Sequence, residues 1–191
     1  PASRKTKDAA SMKDASFHLT LLAENERGFK NLLKLASSAF LEGFYFRPRI
    51  DKGLLEECSE GLICLSGCVS SEFNRALIGS STPDIAKASE VAAWFAGVFK
   101  DRYYIEIQDN GLEIQKLAMA GSIDVARRMG LPLVATSDVH YVRREDASAQ
   151  DILLCVNTGK FRTDAKRMRM ETQEFYLRSP EEMHQAFAAH E

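Results

Sequence analysis

No apolar run in this chain approaches the roughly 20 residues that a helix needs to cross a bilayer. No charged-then-apolar leader opens it either, so a soluble, cytoplasmic protein is expected. Cysteine is scarce: Cys58, Cys64, Cys68 and Cys155 are too few and too irregularly spaced for a disulfide framework in 191 residues. Reduced thiols follow. Cys64 and Cys68 form a C-x3-C pair, but no second Cys or His pair comes after it at zinc-ribbon spacing, which argues against a structural zinc knuckle. An excess of one charge is missing as well. Lys and Arg number 25 against 27 Asp and Glu, a net charge of -2, so any nucleic-acid contact must be local. Signs of disorder are absent: the hydrophobic content of 45% suffices for one core, or for one domain plus an appendage.

The first 15 residues, PASRKTKDAASMKDA, are polar, basic and without apolar periodicity, and they begin with proline rather than methionine. They read as a surface loop or as the start of a chain cut from something longer. From Phe17 the pattern changes, and FHLTLLA suits a buried strand. Phe29, Leu32, Leu33, Leu35 and Ala36 then recur at near-helical spacing, with Asn25 as N-cap and Gly43 as stop. The unit repeats. GLICLSG reads as a strand and SSEFNRALIG as its helix; Thr82 and Pro83 open a longer helix through Trp94 and Phe99. YYIEIQ is a third strand, followed by a helix from about Leu112 to Met129, and LPLVATS is a fourth, with a helix over Asp146 to Val156. Alternating strands and helices predict an α/β fold with a mostly parallel sheet, open or closed into a barrel.

In such sheets the chemistry lies at the carboxyl ends of the strands. Asp138 and His140, in LVATSDVHYV, stand at one such end; in an extended chain they would share a face and could grip one ion. A solvated loop or hydrogen-bonded turn is the other reading. Cys68 holds the equivalent place one unit earlier, as a metal ligand or as a buried thiol.

The motifs HLTLLAENERGFKNLLKLASSAFLEGFYFRPRID, GLICLSGC, YYIEIQDNG, GLPLVATSDVHYVRREDASAQDILLCVNTGK and EFYLRSPEEM stand here in this order. From about Ser16 to Phe187 the chain resembles the PHP (polymerase and histidinol phosphatase) domains of bacterial DNA polymerase III alpha subunits. The resemblance implies a distorted (β/α)7 barrel whose strand ends hold up to three metal ions. It places ligands at His18, Cys68, Asp138 and His140, a set suited to zinc or manganese. It also implies a departure. The family's opening strands, with their His-x-His and Asp-His motifs, have no counterpart here, so an incomplete barrel and an incomplete site are expected. Ser137 replaces the family's usual Asn.

For a complete parent the resemblance implies 3′ to 5′ exonuclease or phosphodiesterase activity within DNA replication; in other members the domain is a structural support. A free-standing small-molecule phosphoesterase is a third reading. The aspartates of nucleotidyl transfer, the polymerase activity proper, belong to a later domain. Expected partners are the remaining polymerase domains and holoenzyme subunits, with DNA reached through the parent, no membrane, and self-association through an open barrel edge. The organisation expected is 1–15 polar loop, 16–158 partial PHP domain, and 159–191 closing segment and linker.

Two basic groups have their own readings. Arg47 and Arg49 could hold phosphate beside the site or lie on a solvated loop. Lys160, Arg162, Lys166, Arg167 and Arg169, opposed only by Asp164, could touch a nucleic-acid backbone or a neighbouring domain, or form an exposed linker face. His184 follows a capping box at Ser179–Glu182 and reads as an exposed helix residue. Tyr103, Tyr104, Phe175 and Trp94 read as core.

Overall fold

The computed structural model describes residues 3–11, 15–79 and 82–190. In chain order these form β1 (Thr20–Ala23), α1 (Glu26–Leu41), α2 (Lys52–Glu57), β2 (Leu62–Leu65), α3 (Glu72–Ile78), α4 (Ile85–Phe99), β3 (Tyr103–Gln108), α5 (Glu113–Met129), β4 (Leu133–Thr136), α6 (Ala147–Thr158) and α7 (Pro180–Phe187). The strands make one sheet in the order β1-β2-β3-β4, unclosed among the described residues. β2 and β3 run parallel, Cys64 opposite Tyr103, while β1 lies antiparallel on β2 with Thr20 opposite Leu65. The expected alternating α/β architecture is therefore present. No helix among the described residues is long and apolar enough to cross a membrane.

The chain divides into two compact units, Pro1–Glu106 with Gly121–Val134, and Ile107–Ala120 with Ala135–Glu191. The core of the first joins Leu35 of α1, Leu54 and Leu55 of α2, Phe73 of α3 and Phe95 of α4 to Ile105 of β3. Phe95 stacks on Tyr103 at 5.6 Å between ring centres. Burial pushes the Cys64 thiol and the Tyr103 phenol far above their ordinary values, so both stay protonated and inert. All four cysteines are free thiols.

Local signals account for the helix ends. Asn25 caps α1, accepting from Gly28 N at 3.0 Å. Gly28 is required by packing: a Cβ there would stand 1.7 Å from the Gly61 carbonyl oxygen. Ser71 caps α3, and Ser179 and Glu182 close the expected capping box on α7 with Pro180 at its first turn.

Two expectations need correction, and one element is additional. FHLTLLA is not a buried strand: the strand is Thr20–Ala23, three of its four residues are exposed, and it forms the edge of the sheet among the described residues, while His18 adds an isolated bridge to Ser71. Leu19 and Leu21 reach the core while Leu22 faces solvent, so one side of the strand carries the apolar signal alone. The fourth helix starts at Ile85 with Asp84 as its cap, accepting from Lys87 N, rather than at Thr82 and Pro83. α2 was not foreseen; its six residues are too few to show a helical period, and Asp51 caps it by accepting from Leu54 N at 3.0 Å.

The second unit is organised around Asn110, which is fully buried. Its backbone N–H donates to Gln115 Oε1, Gln115 Nε2 donates back to its Oδ1, and its Nδ2 donates to the carbonyls of Ser137 (2.7 Å) and Glu174 (2.9 Å). Thr172 Oγ1 donates to its carbonyl. One side chain thus fixes the turn after β3 and the SDVH loop against the 172–177 segment.

Candidate metal centre

In the first unit, His18 sits just before β1 and Cys68 just after β2. The backbone N–H of His18 donates to the Ser70 carbonyl at 3.2 Å, which brings the two strand ends together. The Ser66–Cys68 turn is held from behind. Gly67 has φ +86°, and a Cβ on it would meet Ser71 Cβ at 2.8 Å. Asn74, buried on α3, donates Nδ2 to the carbonyls of Gly67 (2.8 Å) and Cys68 (3.2 Å). Ser66 Oγ accepts from Glu106 N at 2.9 Å. With its turn fixed, the half-buried Cys68 directs its sulfur to 3.6 Å from His18 Nδ1.

That separation has a chemical meaning. With Zn–S near 2.3 Å and Zn–N near 2.05 Å, a tetrahedral angle sets sulfur and nitrogen about 3.6 Å apart. The pair therefore fits one edge of a metal's coordination sphere. Sequence reasoning named both residues but missed Ser71 and Asn74, the side chains that place the turn; a cap residue three positions before a buried Asn was the available signal.

In the second unit, β4 ends at Thr136, and Asp138 adopts φ +46°. The chain is therefore not extended across SDVH, and the expected sharing of a face through strand alternation does not hold. A different contact organises the pair. His140 Nδ1 lies 2.7 Å from the Asp138 carbonyl. A carbonyl oxygen only accepts, so Nδ1 is the donor in this contact, and Nε2 is the nitrogen left to face a metal, the arrangement of an imidazole oriented by a backbone carbonyl. The ring stands edge-on to Phe175 at 5.3 Å, and His140 N donates to the Phe175 carbonyl at 2.8 Å. Asp138 Oδ1 is 4.0 Å from Nδ1, and both side chains are accessible.

Donors thus occur as two pairs, one in each unit. Among the described residues no group of three or more His, Cys, Asp and Glu side chains is arranged to hold an ion.

A cavity of about 640 Å³ opens beside His18 in the first unit, walled by Leu19, Phe73 and Phe95, with Arg47, Lys52 and Glu72 also lining it. Lys52 Nζ pairs with Glu72 at 2.8 Å, and Arg47 and Arg49 are the other two basic side chains lining the cavity; Arg47 is exposed. Arg49 has a different role. It is 3% exposed, and its guanidinium donates to the carbonyls of Gly43, Ala15, Arg4 and Thr6. Those bonds lock the loop between α1 and α2.

In the second unit, Arg167 clamps Asp151 with paired donors, one at 2.8 Å, and Arg162 Nε approaches the same carboxylate at 3.2 Å. Hydrogen bonding from Arg167 holds the Asp151 carboxyl below its ordinary value. Arg169 donates to the Asp164 carbonyl at 3.0 Å, while Lys160 and Lys166 are exposed. His184 is exposed on α7, and Tyr103 and Phe175 are core residues, as expected.

The PHP domain family model matches residues 6–110, more than half of the chain. Several curated proteins are similar over most of its length, each named DNA polymerase III subunit alpha. That of Borreliella burgdorferi is 48% identical over 172 residues, 90% of this chain and 15% of the relative. That of Treponema pallidum is 43% identical over 188 residues, 98% of this chain and 16% of the relative. The Thermus aquaticus protein is 45% identical over 167 residues, 87% and 13% respectively. The chain therefore spans about one-seventh of the length of these relatives.

Proposed function

Because the chain belongs to the PHP domain family, we propose that it serves as the PHP segment of a replicative DNA polymerase alpha subunit and supplies metal ligands for hydrolysis of a phosphodiester. The observation that carries this reading is the 3.6 Å approach of Cys68 Sγ to His18 Nδ1 across 50 residues of sequence. A thiol and an imidazole at adjacent strand ends, with the turn beneath them fixed by a buried Asn, are costly to arrange for packing alone.

In this reading His18, Cys68, Asp138 and His140 are the ligands, with zinc or manganese the suitable ions. The bound metal would supply an acidified water and a Lewis acid for the leaving oxygen. The chain's own part is positional. Cys68 offers a thiolate from a rigid turn, His140 presents Nε2 while Nδ1 donates to the Asp138 carbonyl, and Asp138 adds a hard oxygen. Arg47, beside His18, would hold a phosphate oxygen; Arg49 keeps its place in the loop. No catalytic group independent of the ligands is assigned.

The proposed organisation is a polar start over 1–15, PHP residues over 16–158, and a connecting segment over 159–191. The partners are the other polymerase domains and the DNA they hold. The open edge of β1 adds self-association. A strand that lacks a partner on one side among the described residues, with an exposed Leu22, is a template for a second copy. Light scattering is expected to show dimers that Leu22→Lys abolishes; a monomer at all concentrations contradicts this.

Release of nucleotides from a labelled single-stranded oligonucleotide in manganese tests the hydrolytic reading. Activity removed by chelator and lowered at least 100-fold in Cys68→Ala or His140→Ala supports it. A scaffold function is favoured instead if metal makes no difference.

A further inference from the structure

Every polar atom of Asn110 is engaged. Its N–H and Oδ1 are tied reciprocally to the Gln115 amide, its carbonyl accepts from Thr172 Oγ1, and Nδ2 donates both protons, to the carbonyls of Ser137 at 2.7 Å and Glu174 at 2.9 Å. The side chain is fully buried. Packing alone does not ask for this, because a buried amide must satisfy all of its bonds, whereas an aliphatic side chain would fill the space without that demand. What the two carbonyls share is their place in the chain.

The Ser137 carbonyl belongs to the peptide plane from which Asp138 turns. Asp138 is held at φ +46°, a region that a residue with a Cβ enters when its surroundings impose it, and its carbonyl meets His140 Nδ1 at 2.7 Å. On the other side, the Glu174 carbonyl immediately precedes Phe175, whose own carbonyl accepts from His140 N at 2.8 Å and whose ring stands edge-on to the imidazole. Both supports of the imidazole therefore lie one residue beyond a carbonyl that Asn110 holds. The first unit uses the same device by itself: Asn74 donates Nδ2 to the carbonyls of Gly67 and Cys68, where Gly67 has φ +86°.

We propose that Asn110 is the positioning residue of the Asp138–His140 pair: it holds the SDVH turn in its left-handed form and so sets the direction in which the imidazole presents Nε2. A group behind a ligand that fixes its orientation governs metal affinity without touching the metal. The inference rests on reading Asp138 and His140 as ligands, and the test separates the failure of one from the failure of the other.

Asn110→Ala is compared with Leu154→Ala, which removes buried apolar volume from the same unit and no side-chain hydrogen bond. Gln115→Ala, which loosens the Asn110 amide without removing its Nδ2 donors, is the milder variant and decides in its place if Asn110→Ala loses native circular dichroism. The first readout is the tautomer of the neutral His140 ring in the metal-free chain, by proton–nitrogen correlation spectra of histidine-labelled protein, with His140 assigned by its loss in His140→Gln. The proton is expected on Nδ1 in the unaltered chain and in Leu154→Ala. Asn110→Ala should give a mixture of tautomers, and Gln115→Ala a smaller change in the same sense. The second readout is zinc affinity by competition with a coloured chelator, in the Cys68→Ala chain so that the second unit's pair is read alone. Asn110→Ala should weaken it about tenfold or more, and Leu154→Ala should leave it unchanged. A ring signal in Asn110→Ala identical to that of the unaltered chain overturns the proposal, as does an unchanged zinc affinity. If the Cys68→Ala chain takes up no zinc, the ligand reading of this pair fails, and the ring signal alone still decides the role of Asn110.

Discussion

Arg47 and Arg49 are two residues apart and do opposite work. Four carbonyls point at the buried Arg49 guanidinium, so Arg49→Met would leave carbonyl oxygens unsatisfied and cost roughly 3 kcal/mol in urea unfolding. Arg47→Met, at an exposed position, should stay within about 0.5 kcal/mol. Nothing in FRPRID separates the two, because which arginine turns inward depends on carbonyls contributed from distant segments. Asp51 makes a pH-dependent contribution. Burial alone would raise its carboxyl, but hydrogen bonds from Arg4 N, Leu54 N and the Arg4 guanidinium outweigh this and lower it below its ordinary 3.8. A depressed folded-state value means stabilisation that is complete above the ordinary value and lost as pH falls through the folded one. Thermal melts should therefore show a loss as pH falls below the ordinary carboxylate value that is smaller in Asp51→Asn.

Elements with a cap and a clear period were legible. Asn25 before α1, Ser179 with Glu182 before α7, and the alternation of strands and helices needed only local chemistry. β1 was misread because a strand buried on one side resembles a wholly buried one when its outward residues include Leu22. Asp138 was misread for a related reason: a left-handed residue after a strand breaks the alternation, and only Gly or Asn would have announced it openly. The contact of α1 with the turn before β2 gives a sharp test. Gly28→Ala sets a Cβ against the Gly61 carbonyl, backbone against backbone, and should cost about 3 kcal/mol or prevent folding of the first unit. Gly97→Ala, within α4 and with nothing within 4 Å of its added Cβ, should stabilise by about 0.5–1 kcal/mol. Denaturant titrations of the two variants decide both.

At the scale of the whole molecule, the family and its sheet were readable from motif order, while the state of the site was not. The sequence supplies four donors; the structure resolves them into His18 with Cys68 and Asp138 with His140, each pair oriented by its own unit. If those pairs are ligands, each should hold metal by its own geometry, and removing one should be felt as metal lost rather than as unfolding. The most direct measurement is the metal content of the purified chain by elemental analysis, beside Cys68→Ala, His140→Ala and the double variant, each checked for native circular dichroism. Near-stoichiometric zinc or manganese, reduced in each single variant and abolished in the double, is the result this account predicts. Absence of metal from the unaltered chain after incubation with excess zinc and with excess manganese would contradict it, and would leave the chain as a scaffold.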